Sequence, residues 1–155
     1  MKDRTLRKIM VQTGTAFAGV SVALGAIGAH LFKNSINQQA FEIYQTALSY
    51  QFYHALAIII VAALIRRMQT TYVRYIFRLF TYGTLLFSGS LYIVALRTLI
   101  QGKYADMLSL VGHITPIGGL LLIAGWVLLL LKGTNISSSS ENSTPLINNE
   151  ADKKD

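Results

Sequence analysis

The chain is 155 residues long, 52% hydrophobic and only 14% charged, well short of the roughly one-quarter charged residues of soluble domains. Its net charge of +7 would suggest a nucleic-acid partner if the cations formed one patch on a soluble surface. They lie instead at the ends of apolar runs, where they report membrane topology. Cysteine is absent, which excludes disulfides, thiolate metal sites and cysteine-ligated iron–sulfur clusters.

Four stretches contain no Asp, Glu, Lys or Arg: 9–29, 48–65, 79–96 and 114–131. The shortest holds 18 residues, about 27 Å of helix, which just matches a hydrocarbon core of about 30 Å. The expected architecture is an all-α membrane protein, a four-transmembrane-helix bundle over 1–132, followed by a polar tail over 133–155. Nine basic residues flank one membrane face: Lys2, Arg4, Arg7 and Lys8; Arg66, Arg67, Arg74 and Arg78; and Lys132. Three flank the other: Lys33, Arg97 and Lys103. The positive-inside rule then places both termini in the cytoplasm of a multi-pass cell-membrane protein.

Span one begins like a signal peptide, with a basic start and small residues at Ala26-Ile27-Gly28-Ala29. Its 21-residue apolar run is long for a signal core, and its small residues form helical stripes, so it is expected to stay in the protein. One stripe is Ala16, Gly19, Ala23, Ala26 and His30; beside it run Gly14, Ala18, Ser21, Gly25 and Gly28. Small side chains let helices approach closely in lipid, so two stripes predict a central helix touching two neighbours. The first external link, 31–47, is polar at its start and turns helical near Gln39. Tyr44, Tyr50, Phe52 and Tyr53 should then form an outer aromatic belt, matched on the inner side by Tyr72, Tyr75, Phe77, Phe80 and Tyr82.

Span three carries the least lipid-like segment, Leu86-Phe87-Ser88-Gly89-Ser90-Leu91-Tyr92. Hydroxyls and a glycine are tolerated there mainly where another helix covers them, so Ser88 and Gly89 are read as packing residues. The second external link, 98–113, is expected to hold a short helical turn around 105–110. Pro116 falls in the first turn of span four, where its missing N–H is tolerated, with Thr115 as a capping candidate. Gly118, Gly119 and Gly125 are read as close-approach positions, with Trp126 filling space beside them. The tail, with Ser137 to Ser140 in a row, is expected to be disordered. Its glycosylation-like triplets at Asn135 and Asn142 lie on the predicted cytoplasmic side, where they would not be used.

His30, His54 and His113 fall at one predicted membrane level because successive helices alternate in direction. With Gln51, Ser90 and Tyr92 they form the candidate ligand-binding set. Three neutral imidazoles can bind zinc or copper and two can ligate a haem iron. No ligand-spacing motif is present, however, and interhelical hydrogen bonding is the commoner role for such residues, so the metal is left unassigned and no cofactor is expected. Hydrolase chemistry finds no support, since the external acids Glu42 and Asp106 belong to no nucleophile motif.

Four segments in order, 24–30, 50–57, 86–92 and 115–119 followed by Gly125-Trp126, resemble the YgdD/YwdK-like small integral membrane protein family, domain of unknown function 423. The resemblance covers about 5–131 and implies a four-span membrane protein that keeps span one. It implies no activity, substrate or cofactor. The expected function is that of a non-enzymatic membrane bundle acting by packing with lipids, a second copy or a membrane-protein partner. A membrane-embedded ligand site, or a small oligomeric transporter, is the alternative.

Overall fold

The computed structural model describes residues 2–99 and 110–133. Four helices account for nearly all of them. Helix α1, Lys2–Ile27, runs on through a π turn at Gly28–Phe32, closed by the Lys33 N–H donating to the Gly28 carbonyl at 3.0 Å. Helix α2, Gln38–Leu64, starts one residue before the sequence-based expectation, because Asn37 in an extended conformation accepts the Ala40 N–H at 2.8 Å. That is the geometry of an N-cap. A 3₁₀ turn at Ile65–Arg67 and two further residues lead into α3, Thr70–Leu96, which ends in another 3₁₀ turn at Arg97–Leu99. A 3₁₀ turn at Leu110–Ile114 precedes α4, Thr115–Gly133. All four helices are long and apolar enough to cross a membrane. Lys103, the turn predicted around 105–110 up to residue 109, with Asp106 in it, and the tail beyond Gly133 lie outside the described residues.

The order of packing departs from the expectation for span one. Helices α2 and α3 form the middle of the bundle, α1 lies mainly on α2, α4 lies on α3, and α1 touches α3 only marginally. Short links make consecutive antiparallel helices neighbours, which leaves the first and last helices at the edges. One stripe of α1 accordingly meets α2, through the buried Gly14, Ser21 and Gly28. The other faces away, with Ala16, Gly19, Ala23, Ala26 and His30 all exposed.

Glycine contacts divide in the same way. A Cβ at Gly118 would strike the Phe87 backbone, one at Gly125 would lie 2.6 Å from Phe80, and one at Gly83 would lie 2.6 Å from Leu122, so these three set the α3–α4 separation. Gly28 lies against the ring of Tyr44, and Gly119 makes ordinary contact with Phe87. Gly19, Gly25 and Gly89 open onto space, so the packing role expected of them is not met within this chain.

Tyr44 and Phe80 are a second correction: both are buried rather than part of the outer and inner belts, while Tyr50, Tyr53, Tyr75 and Tyr82 are exposed as a belt requires. The apolar core, including Met10, Ile58, Val61, Ile76, Phe80 and Leu122, fills the half of the bundle nearer the N-terminus. At that end the Thr70 hydroxyl donates to Asp3 Oδ1 at 2.8 Å, and Lys132 Nζ stands 5.1 Å above the Tyr72 ring. The starts of α1 and α3 and the end of α4 therefore share one face of the bundle. The seam glycines give a direct test: Gly118→Leu should lower stability by about 2–3 kcal/mol, and Gly19→Leu should change it by less than about 0.5 kcal/mol, measured by reversible unfolding in mixed micelles.

Candidate functional site

The polar residues of the bundle gather in the half away from the termini. Gln51 of α2 uses both ends of its amide: Nε2 donates to the Phe17 carbonyl of α1 at 2.9 Å, and Oε1 accepts from the Tyr92 hydroxyl of α3 at 3.0 Å. Two further bonds tie α1 to α2, from Tyr44 Oη to the Leu24 carbonyl at 2.7 Å and from Ser21 Oγ to the Leu48 carbonyl at 2.9 Å. A helical carbonyl keeps a second lone pair for such a donor. The Tyr44 ring also packs edge-on against Tyr92 and Phe32, with centroids 5.3 and 5.4 Å away. Tyr44, Ser21 and Trp126 were not among the ligand-binding candidates. For Tyr44 a signal existed, since Tyr44, Gln51 and Ile58 recur at seven residues on one face of α2.

His54 is held by two partners of fixed character. Its Nδ1 lies 2.8 Å from the Tyr50 carbonyl, and its Nε2 lies 3.1 Å from Trp126 Nε1 of α4. A carbonyl only accepts and an indole N–H only donates, so Nδ1 carries the proton and Nε2 accepts. This is a neutral imidazole with no lone pair left for a metal or a haem iron. Phe80 and Trp126 rings pack around it with centroids 5.5 and 6.0 Å away. His30 lies exposed in the π turn and His113 lies exposed just before α4. Among the described residues no three His, Cys, Asp or Glu side chains group so as to hold a metal ion. The shared level inferred for the histidines therefore does not translate into convergence.

The remaining members of the candidate set separate similarly. Ser90 donates to the Phe87 carbonyl at 2.9 Å and pairs with the Thr115 hydroxyl at 2.7 Å, which ties α3 to the first turn of α4 and gives Thr115 a partner across the seam. The six candidates thus resolve into a Gln51–Tyr92 pair, a His54–Trp126 pair, a Ser90–Thr115 pair and two exposed histidines. Ser88 is 1% exposed and Thr84 2% exposed, and the hydroxyls of Thr81, Thr84 and Ser88 have no hydrogen-bond partner among the described residues. Steps of three and four residues put them on one face of α3, below Tyr92.

A four-helix membrane protein with hydroxyl and amide groups spent on helix-to-helix bonds is the class this fold defines. The chain belongs to the DUF423 family, described as a protein family of unknown function, whose profile matches residues 24–119. It is 36% identical over 125 residues to a UPF0382 membrane protein of Staphylococcus haemolyticus, covering 81% of this chain and 94% of that one. It is 37% identical over 119 residues to the UPF0382 inner membrane protein YgdD of Escherichia coli K12, covering 74% and 84% respectively. No solved structure matches the chain significantly. The resemblance noted from the four motifs and the reading as a multi-pass membrane protein are both borne out.

The unpartnered hydroxyls yield a sharp expectation. Replacing a buried hydroxyl that bonds nothing by an apolar group of similar shape is neutral or stabilising. Thr84→Val and Ser88→Ala should leave stability unchanged or raise it by up to about 1 kcal/mol in the same unfolding assay. A loss of that size would show that the hydroxyls are in use.

Proposed function

We propose that this protein is a non-enzymatic membrane bundle, with both termini cytoplasmic, that acts through its outer surface by packing with lipids, a second copy or a membrane-protein partner. The observation that carries the reading is the engagement of most interior polar groups in bonds of the bundle itself. Gln51, Tyr44, Ser21, His54, Ser90 and Tyr92 are all engaged in bonds within or between helices, while a whole face of α1 is uncovered. Groups held in this way specify how helices meet and leave little chemistry for a guest. The nine-to-three distribution of basic residues supports the orientation.

A second reading, a membrane-embedded site for a small polar ligand, is favoured by the unpartnered Thr81, Thr84 and Ser88 hydroxyls along one face of α3. The same Thr84→Val and Ser88→Ala variants separate the two when native mass spectrometry reads a small molecule retained by the wild type, because a ligand site needs those hydroxyls and would lose it. The leading reading is tested by crosslinking in native membranes followed by native mass spectrometry of the purified protein. The expected result is a retained second copy, membrane protein or lipid. A bare monomer that crosslinks to nothing would overturn it.

A further inference from the structure

The first turns of α1 and the 3₁₀ turn after α2 enclose an open groove of about 440 Å³, lined by Arg4, Arg7, Lys8, Val11, Gln12 and Arg66. Residues 4, 7, 8, 11 and 12 follow one another at helical spacing, so they form a single wall, and Arg66 supplies the opposite side from another helix. All four cations are exposed. Among the described residues none of them pairs with a carboxylate. The described acids are Asp3, which accepts from Thr70, and Glu42, which lies at the far end of the bundle and accepts from Gln38. Four positive charges across one groove, uncompensated among the described residues, call for an anion.

Depth in the membrane decides which anion. The charge-free run of span one begins at Ile9, so Arg4, Arg7 and Lys8 stand at headgroup level while Val11 and Gln12 form the first turn below it. Below the groove the face through Arg4, Lys8 and Gln12 continues as Ala16, Gly19 and Ala23, which are exposed, and the space beside Gly19 is open. A ligand seated here meets cations above and a shallow strip free of large side chains beneath. That is the arrangement a phosphate headgroup with attached acyl chains requires.

We propose that this groove is a binding site for an anionic glycerophospholipid, its phosphate held by Arg7, Lys8 and Arg66 and an acyl chain laid along Ala16, Gly19 and Ala23. Arginine forks suit phosphate oxygens better than a diffuse surface charge does. With four cations available, a headgroup carrying two phosphates is bound more tightly than one carrying a single phosphate, and a zwitterionic headgroup least. The proposal deepens the lipid arm of the reading above. It rests on headgroup selectivity, so it can fail while a protein partner is still found.

The test uses the full chain in detergent, offered equal amounts of cardiolipin, phosphatidylglycerol and phosphatidylcholine, with bound lipid read by native mass spectrometry. The wild type should retain cardiolipin over phosphatidylglycerol over phosphatidylcholine. Removing a cation near anionic lipid costs about fivefold, equivalent to about 1 kcal/mol. Lys8→Gln should therefore lose about fivefold in cardiolipin retention and the Arg7→Gln/Lys8→Gln/Arg66→Gln variant on the order of a hundredfold. Arg67→Gln/Arg74→Gln/Arg78→Gln removes equal charge from the same end outside the groove, and should lose far less cardiolipin than the groove triple variant. Equal losses in both triple variants would overturn the proposal in favour of diffuse surface charge. Unchanged selectivity in the groove variants would overturn it outright. Displacement of the lipid by millimolar inorganic phosphate would reassign the groove to a free anion.

Discussion

Gln51 is the residue through which three helices are joined. Its amide donates to α1 and accepts from α3 while its backbone belongs to α2, and a polar group left without a partner at that depth would be costly. Apolar side chains gain little by moving from lipid to protein, so burial alone cannot decide how the helices rotate against one another. The amide can. Only one rotation of α1 brings the Phe17 carbonyl to Gln51, and the same rotation delivers the Leu24 carbonyl to Tyr44 and Ser21 to the Leu48 carbonyl.

The two ends of the bundle are consequently held by different forces. Away from the termini, hydrogen bonds fix the approach of α1, α2 and α3, and near the middle of the bundle the Trp126 indole reaches across to His54 to bring in α4. Toward the termini, a core with no hydrogen-bonding side chains packs by shape alone. Along the α3–α4 seam, Gly83, Gly118 and Gly125 let the two backbones approach closely enough for dispersion to hold them. Helix α1 comes close to α2 in the same way at Gly14, where a Cβ would lie 2.6 Å from Ile59 and 2.9 Å from the Ala55 carbonyl, and turns its other face outward.

Legibility of the sequence follows this physics. The four spans were readable because length and charge exclusion are set by the bilayer. The start of α2 was readable within one residue because Asn37 and the amphipathic pattern after it are local. Helix rotation was not, since lipid and protein interior are both apolar and the burial period is faint. Tyr44 therefore passed for a belt residue although it is buried against Gly28, and the uncovered stripe of α1 passed for a packing face. The histidines illustrate the same gap. Their common level came from helix direction, but His54 turns inward to Trp126 while His30 and His113 are exposed. Gly83 was missed because a lone glycine in an apolar helix forms no pattern, and its role appears only against Leu122.

The central claim is that the hydrogen-bonded polar side chains of the bundle interior, Gln51 and Tyr92 first among them, join its helices. A double-mutant cycle between Gln51→Leu and Tyr92→Phe, with stability read by reversible unfolding in bilayer-like micelles, isolates the bond between α2 and α3. The account predicts a coupling energy of about 0.6–1.7 kcal/mol, the range of interhelical hydrogen bonds in membrane bundles. Additivity of the two substitutions to within about 0.3 kcal/mol would contradict it.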